Sequence, residues 1–171
     1  MVYAELEFSN YTGIGVSCGG GRCNVCLAYL SVPVISFSVA QAGDYVDARA
    51  AQATGEVATR VRLIKERGLT LNRRSPDQIH RALAVYYDEM IRNLVSAMRD
   101  AFSEGCRMPR LQRPVPLVLS GGSALPDGFR ERFQAVLGEA EFPVPISEVR
   151  LSSDPLHSTA KGALMAALTD M

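Results

Sequence analysis

Residues 13–26 read GIGVSCGGGRCNVC. Before the glycines, small and apolar residues alternate; after them, CNVCLAYL (23–30) resumes an extended pattern. The spacing predicts a strand, a glycine turn and a second strand. Gly19, Gly20 and Gly21 let the backbone take left-handed angles, and let its N–H groups approach an anion closely. Two readings stand at this point: a loop that faces phosphate, and a plain hairpin turn with no ligand.

Working outward, Ser31-Val32-Pro33 makes a short turn and VISFSVAQ (34–41) a third strand, which completes an antiparallel meander. Gly43-Asp44 punctuates the chain. DYVDARAAQATG (44–55) then predicts a helix capped by Asp44 and ended by Gly55. Residues 55–76 are basic, with TRVRLIKERG (59–68) helical. Ser75 is placed to cap, and Pro76 to open, a long helix running to about Phe102, on the recurrence of Ile79, Leu83, Tyr86, Tyr87, Met90, Leu94, Val95 and Met98.

RMPRLQRPVP (107–116) is a loop. LVLSGGSALP (117–126) is a buried strand running into a second glycine turn, and DGFRERFQAVL (127–137) is a helix capped at Asp127. A short strand in FPVPISEVRLS (142–152) leads to a closing helix in DPLHSTAKGALMAALTDM (154–171), where Ala163, Ala166 and Ala167 permit close packing. A three-strand meander followed by βαβα is the ribonuclease-H-like plan. The expected fold is therefore α/β, one domain over residues 1–171, with parallel strands in its second half.

Composition narrows the function. The 171 residues carry 18 basic and 18 acidic side chains, a formal net charge of zero, which argues against a general nucleic-acid binder. With 47% hydrophobic and 21% charged residues the chain has the balance of a globular domain, not of a disordered one. No stretch approaches the roughly 20 apolar residues of a membrane span. The opening MVYAELEFSN has two Glu and no basic segment, so it does not read as a signal peptide. The expected location is the cytoplasm, with the four cysteines reduced.

The second glycine turn, VLSGGSALPDGF (118–129), follows a strand and precedes a helix, the context in which backbone comes close to a phosphate or a ribose-adenine unit. At this point the sequence resembles the actin-like ATPase superfamily of actin, the bacterial actin MreB, FtsA-like proteins and heat-shock chaperone ATPases. VSCGGGRCNVCL (16–27) is similar to the phosphate hairpin that opens the second domain of that family, and QAGDYVD (41–47) to the glycine-aspartate turn that follows. VLSGGSALPDGF is similar to its adenosine motif, and TAKGALMAAL (159–168) to the small-residue motif of its last helix. The four matches keep the family's order and cover nearly the whole chain.

The resemblance implies a nucleotide site. Gly19, Gly20, Gly21 and Arg22 would face phosphate; Gly121, Gly122, Ser123 and Arg62 would face adenosine; Ser17 and Asp44 would support them. The implied ligands are ATP or ADP with Mg. The implied role is filament assembly or cytoskeletal function, with nucleotide closing two domains on each other. The departures are as informative. The chain looks like the second half of such an ATPase, so a first domain or a partner chain would have to complete the cleft. The family's metal-site Asp falls at Ser17, which cannot act as a carboxylate. Its Thr after the glycines falls at Arg22, and its adenosine-contacting Glu at Thr59. The inserted lobe is reduced to about residues 55–76. Catalysis by this chain alone is not expected. A non-catalytic assembly module that self-associates is the alternative.

A second alternative comes from the cysteines. Cys18, Cys23 and Cys26 have the C-x4-C-x2-C spacing of plant-type [2Fe–2S] ferredoxins, with Cys106 as a distant fourth ligand. Against it, cysteines three apart on a strand face opposite sides. The plainer reading makes all four small buried hydrophobes. His80 and His157 lie outside any zinc spacing, so no metal ligands are assigned. The run Arg60, Arg62, Lys65, Arg67, Arg73 and Arg74, offset nearby by Glu66, reads as a solvated face.

Overall fold

The computed structural model describes residues 2–73, 75–103, 111 and 113–169. The glycine hairpin forms where the sequence places it, between β1 (Gly13–Cys18) and β2 (Cys23–Tyr29). These strands pair antiparallel from Gly13 opposite Ala28 to Cys18 opposite Cys23. Strand β3 (Val32–Val39) pairs antiparallel with β2 and lies at the sheet edge, where Pro33 leaves no neighbour short of an N–H donor. The β2–β3 turn is Leu30-Ser31, both with positive φ (50° and 72°), as a tight two-residue hairpin turn demands. Strands β4 (Val115–Ser120) and β5 (Ile146–Leu151) add in parallel on the other side of β1. The order is β3-β2-β1-β4-β5, the predicted meander plus βαβα.

β4 is buried along its whole length because it is flanked by strands on both sides and covered on both faces. One face carries α2 (Gly43–Thr54), α4 (Gln78–Ser103) and α5 (Phe129–Glu139). The predicted stripe of α4 is its buried face, and Tyr87 meets Phe129 edge to face at 6.1 Å. Tyr86, one position back and expected in the same stripe, is only half-buried, with the Arg49 guanidinium 5.5 Å over its ring. α6 (Ser158–Thr169) packs against α1 (Val2–Glu5). In α6, Gly162 is buried, whereas Ala163 and Ala167 are exposed, so the small-residue stripe only partly serves packing. Among the described residues no helix is long and apolar enough to cross a membrane.

Three expected caps fall elsewhere. Asp44 is not the cap of α2: the N-cap is Ala42, and Asp44 stands inside the first turn. α4 is capped by Asp77, whose Oδ2 accepts from the His80 backbone N–H at 2.9 Å; Ser75 instead accepts from the Asp77 N–H at 3.2 Å. α5 has Gly128 at its N-cap, while Asp127 accepts from the Thr70 hydroxyl at 3.2 Å. In each case a tertiary partner, or a neighbour two residues on, takes the side chain that local sequence assigns to capping.

An unexpected feature closes the N-terminal end. Glu5, nearly fully buried, accepts from the Ser152 hydroxyl (2.5 Å), the Ser153 N–H (3.1 Å) and hydroxyl (3.0 Å) and Arg150 Nη1 (2.9 Å). Arg150 in turn lies 5.3 Å over the Phe8 ring. Burial alone would raise the Glu5 pKa, but the bonds from Ser152, Arg150 and Ser153 outweigh it and hold the carboxyl below its ordinary 4.5. A carboxyl whose folded pKa is depressed stabilises the fold fully above 4.5 and loses that contribution as pH falls through the folded value. Glu5→Gln is therefore expected to be less stable than wild type at pH 7 and to converge on it in acid, as read from urea unfolding at both pH values. A gap that stays constant with pH would overturn this assignment.

Candidate functional site

The two glycine turns meet. Gly19 N–H donates to the Arg22 carbonyl at 3.0 Å and closes the hairpin. The Gly19 carbonyl accepts from the Gly43 N–H at 3.1 Å and from the Ser123 hydroxyl at 2.8 Å; the Gly20 carbonyl accepts from the Asp44 N–H at 2.8 Å. The first N–H groups of α2 are thus satisfied by hairpin carbonyls. This explains why α2 needs no side-chain cap and why Asp44 is free to turn elsewhere. The approach is close enough to require glycine. A Cβ on Gly43 would lie 2.2 Å from Ser123 Oγ, and one on Gly121 (φ 90°) 2.2 Å from the Cys18 carbonyl oxygen.

In front of this junction lies a cleft of about 810 Å³, with Gly20, Asp44, Arg62, Lys65, Gly122 and Ser123 on its polar wall. Leu69, Leu125, Pro126 and Leu156 supply an apolar wall. Its floor is strapped together: Leu71 N–H donates to the Asp127 carbonyl at 2.7 Å, and Asp127 N–H to that of Leu69 at 3.2 Å. The strap comes from residues 69–71, just past α3 (Ala58–Glu66), so the basic segment 55–76 builds one side of the cleft. The Gly128 backbone (φ 87°) brings Asn72 so near that a Cβ there would sit 2.2 Å from its amide oxygen.

The cleft wall carries a charge network. Arg62 donates through Nε to Asp47 Oδ2 at 3.1 Å and pairs with Asp44 through its other end. Lys65 Nζ lies 2.7 Å from the Asp47 carboxylate. The Asp47 bond, followed by the Asp44 and Asp47 charges, raises the Arg62 pKa. Asp47 is only 1% exposed, so Arg62 and Lys65 take the place of water around its carboxylate. The basic run is accordingly not a face offset by Glu66 alone: Asp44, Asp47 and Glu56 pair with Arg62, Lys65 and Arg60, while Arg74 lies outside the described residues.

The expected site residues separate into groups. Gly20, Asp44, Arg62, Gly122 and Ser123 converge on the cleft. Gly19 and Gly121 stand behind it as backbone that joins the two turns. Gly21 and Arg22 project from the hairpin tip into solvent. Ser17 lies on the other face of the sheet, in a second groove of about 600 Å³ with Asn24, Ser36, Ser38 and Thr159. Thr59 is exposed on α3, and Glu66 instead supplies a carboxylate to the cleft. Gly43, Asp47 and Lys65 are visible in the sequence, as a break before a helix, as the acidic partner of Asp44 and as part of the basic run, but none is assigned to the site there. The signal for all three was present as polar or glycine positions one turn apart on two adjacent helices, but nothing local shows that they meet.

The iron–sulfur alternative does not hold. Cys18 and Cys23 point into the core, whereas Cys26 points into the groove on the opposite face. Among the described residues no three potential ligands gather, and Cys106 lies outside them. His80 and His157 sit 2.7 and 2.9 Å from Asp77 and Asp154, one turn away on their own segments.

Removing Lys65 would leave the buried Asp47 charge with only the half-exposed Arg62. Lys65→Met is expected to cost about 3 kcal/mol in urea unfolding, with Asp47→Asn recovering part of the loss in the double variant. A single variant as stable as wild type would show that the network does not hold the cleft wall.

No curated protein matches the chain in sequence. Among solved structures it is similar to the MamK double helical filament, with TM-score 0.77 and 17% identity over 98% of this chain and 57% of that one. A non-polymerising MamK mutant bound to AMPPNP matches with TM-score 0.72 and 18% identity over 91% of this chain and 54% of that one. The ethanolamine utilization protein EutJ from Carboxydothermus hydrogenoformans matches with TM-score 0.65 and 20% identity over 96% and 53%. The chain therefore spans about half the length of these structures, and the fold is that of an actin-like half domain. The Volactin family model matches residues 1–167, nearly the whole of the sequence that builds the joined hairpins and the cleft, and the chain belongs to the Volactin family.

Proposed function

We propose that this chain forms one wall of an ATP or ADP site with Mg, in a cytoplasmic protein whose nucleotide state governs assembly of a filament or a related cytoskeletal structure. The observation that carries the reading is the Gly19 carbonyl shared by Gly43 and Ser123, which sets both glycine turns on one cleft. In this reading Gly20 meets phosphate on the cleft wall, and the exposed tip at Gly21 and Arg22 reaches phosphate only once a second face closes over it. The exposed Arg22 guanidinium supplies positive potential at the mouth of the site. Gly122, Ser123 and the Arg62 face meet the nucleoside, with Leu69, Leu125 and Leu156 against its base. A second polypeptide face, from a further domain or a partner chain, completes the cleft. Because that second face is needed to complete the cleft, this half binds but does not hydrolyse by itself. The MamK structure with AMPPNP supports the ligand class through a shared fold.

The test is calorimetry with ATP and ADP in Mg²⁺. Saturable, weak binding is expected for wild type and loss of it for Gly122→Asp. That site is suited to the test, since a Cβ on Gly122 meets only Leu156 Cδ2 at 3.8 Å and the fold should survive. Absence of binding at millimolar nucleotide would refute the reading.

One observation favours the alternative of a non-catalytic assembly module. Ser17 faces the second groove, and Arg62 is already neutralised by Asp44 and Asp47. In that case sedimentation velocity would show self-association that nucleotide leaves unchanged, whereas the nucleotide reading expects a shift on adding ATP.

A further inference from the structure

The neck of the glycine hairpin holds two thiols that the nucleotide reading does not use. Cys18 ends β1, Cys23 begins β2, and they stand directly opposite each other with both side chains fully buried. Gly19 and Arg22, one step nearer the tip, stand at the hydrogen-bonding position of the ladder, with the Gly19 N–H donating to the Arg22 carbonyl at 3.0 Å. Antiparallel ladders alternate, so Cys18 and Cys23 occupy the adjacent non-hydrogen-bonded position, where facing Cα atoms lie about 4.5 Å apart. Disulfides span Cα separations of roughly 4.4 to 6.8 Å, so the two sulfurs can bond without moving the strands apart or together.

We propose that Cys18 and Cys23 are a redox-active dithiol, a modification site that small-molecule disulfides convert to a cross-strand disulfide at the neck of the hairpin. The geometry distinguishes them from Cys26, which stands on the other face of the sheet and cannot reach either. The two thiols are also unequal. Their mutual contact, with burial, raises the Cys18 pKa, and the same contact lowers that of Cys23, whose Sγ also lies 3.9 Å from the Gln41 carbonyl. Cys23 adjoins the exposed Arg22, whereas the Cys18 backbone is walled by Gly121, so Cys23 is the thiol reached first and the attacking group. Its thiolate bonds to one sulfur of the small disulfide, whose S–S bond breaks and releases one small thiolate. Cys18 then loses its proton and attacks Cys23 Sγ, releasing the second small thiol. Two protein thiols are oxidised and one small disulfide is reduced to two thiols, so the exchange needs no other reagent.

The way in is the turn itself. Gly20, Gly21 and Arg22 are exposed, and two of the three carry no side chain. Exposing the pair requires the tip to open, releasing the Gly19 and Gly20 carbonyls from Gly43, Ser123 and Asp44 while the strand ladder below stays paired. In a reducing compartment the pair rests as free thiols and responds only to an oxidising excursion.

The experiment uses the whole chain under native conditions, equilibrated with glutathione disulfide, trapped with an alkylating agent, and read by intact mass and peptide mapping. A Cys18–Cys23 linkage with a mass loss of about 2 Da is expected, and it should persist in Cys26→Ser/Cys106→Ser. Cys18→Ser should stop at a glutathione adduct on Cys23, while Cys23→Ser should leave Cys18 unmodified. If the variants do not fold, the wild-type map decides alone. Four unmodified thiols after equilibration, a bridge to Cys26 or Cys106, or linkage only after unfolding in urea would each overturn the proposal. Nucleotide binding plays no part in the readout, so it stands or falls separately from the function proposed above.

Discussion

One carbonyl joins the functional half of this molecule. Gly19 O accepts from the Gly43 N–H at the start of α2 and from the Ser123 hydroxyl in the turn after β4. Three segments separated by 24 and 80 residues in sequence are thereby fixed at one point. The consequence is steric as well as polar. Gly121 must be glycine because the Cys18 backbone leaves no room for a Cβ, and a Cβ on Gly43 would push the Ser123 hydroxyl off the Gly19 carbonyl. The cleft in front of the junction exists because the backbones behind it touch.

The same junction explains the electrostatics. Since hairpin carbonyls satisfy the first N–H groups of α2, Asp44 is released from capping, and its carboxylate turns toward Arg62. Asp47, one turn further along α2, draws Arg62 and Lys65 across from α3. The helix α3 is otherwise weakly held, with Val61 its only buried side chain. The ion pairs to a buried Asp47 fix it against α2, and with it one wall of the cleft. A stretch that reads as a loose basic face is in fact part of the frame.

The fold was largely legible in the sequence, and for a physical reason. Strand alternation, the 3.6-residue stripe of α4 and the punctuation by Gly55 are local patterns, and each is satisfied locally. The caps were not legible. Asp44, Asp127 and Ser75 are all residue types that cap helices, but each had a competitor: an arginine from another helix, a threonine from a distant strap, or a better placed Asp77. The cysteines divide the same way. Their spacing on β2 showed that Cys23 and Cys26 face apart, whereas the register that sets Cys18 opposite Cys23 depends on how the hairpin closes.

The candidate site shows the same limit more sharply. By itself the sequence determined the element types, the meander followed by βαβα, and the presence of two glycine turns in contexts suited to close approach. Those properties follow from residue-by-residue conformational preference and from hydrophobic period, which act over a few residues. Only the tertiary structure decided that Gly20, Asp44, Arg62, Gly122 and Ser123 share a cleft, while Ser17 and Arg22 stand away from it. Which side of a strand a residue occupies is local, but which distant backbone supplies its neighbour is set by packing the sheet against its helices. No window of sequence contains both partners of the Gly19 carbonyl.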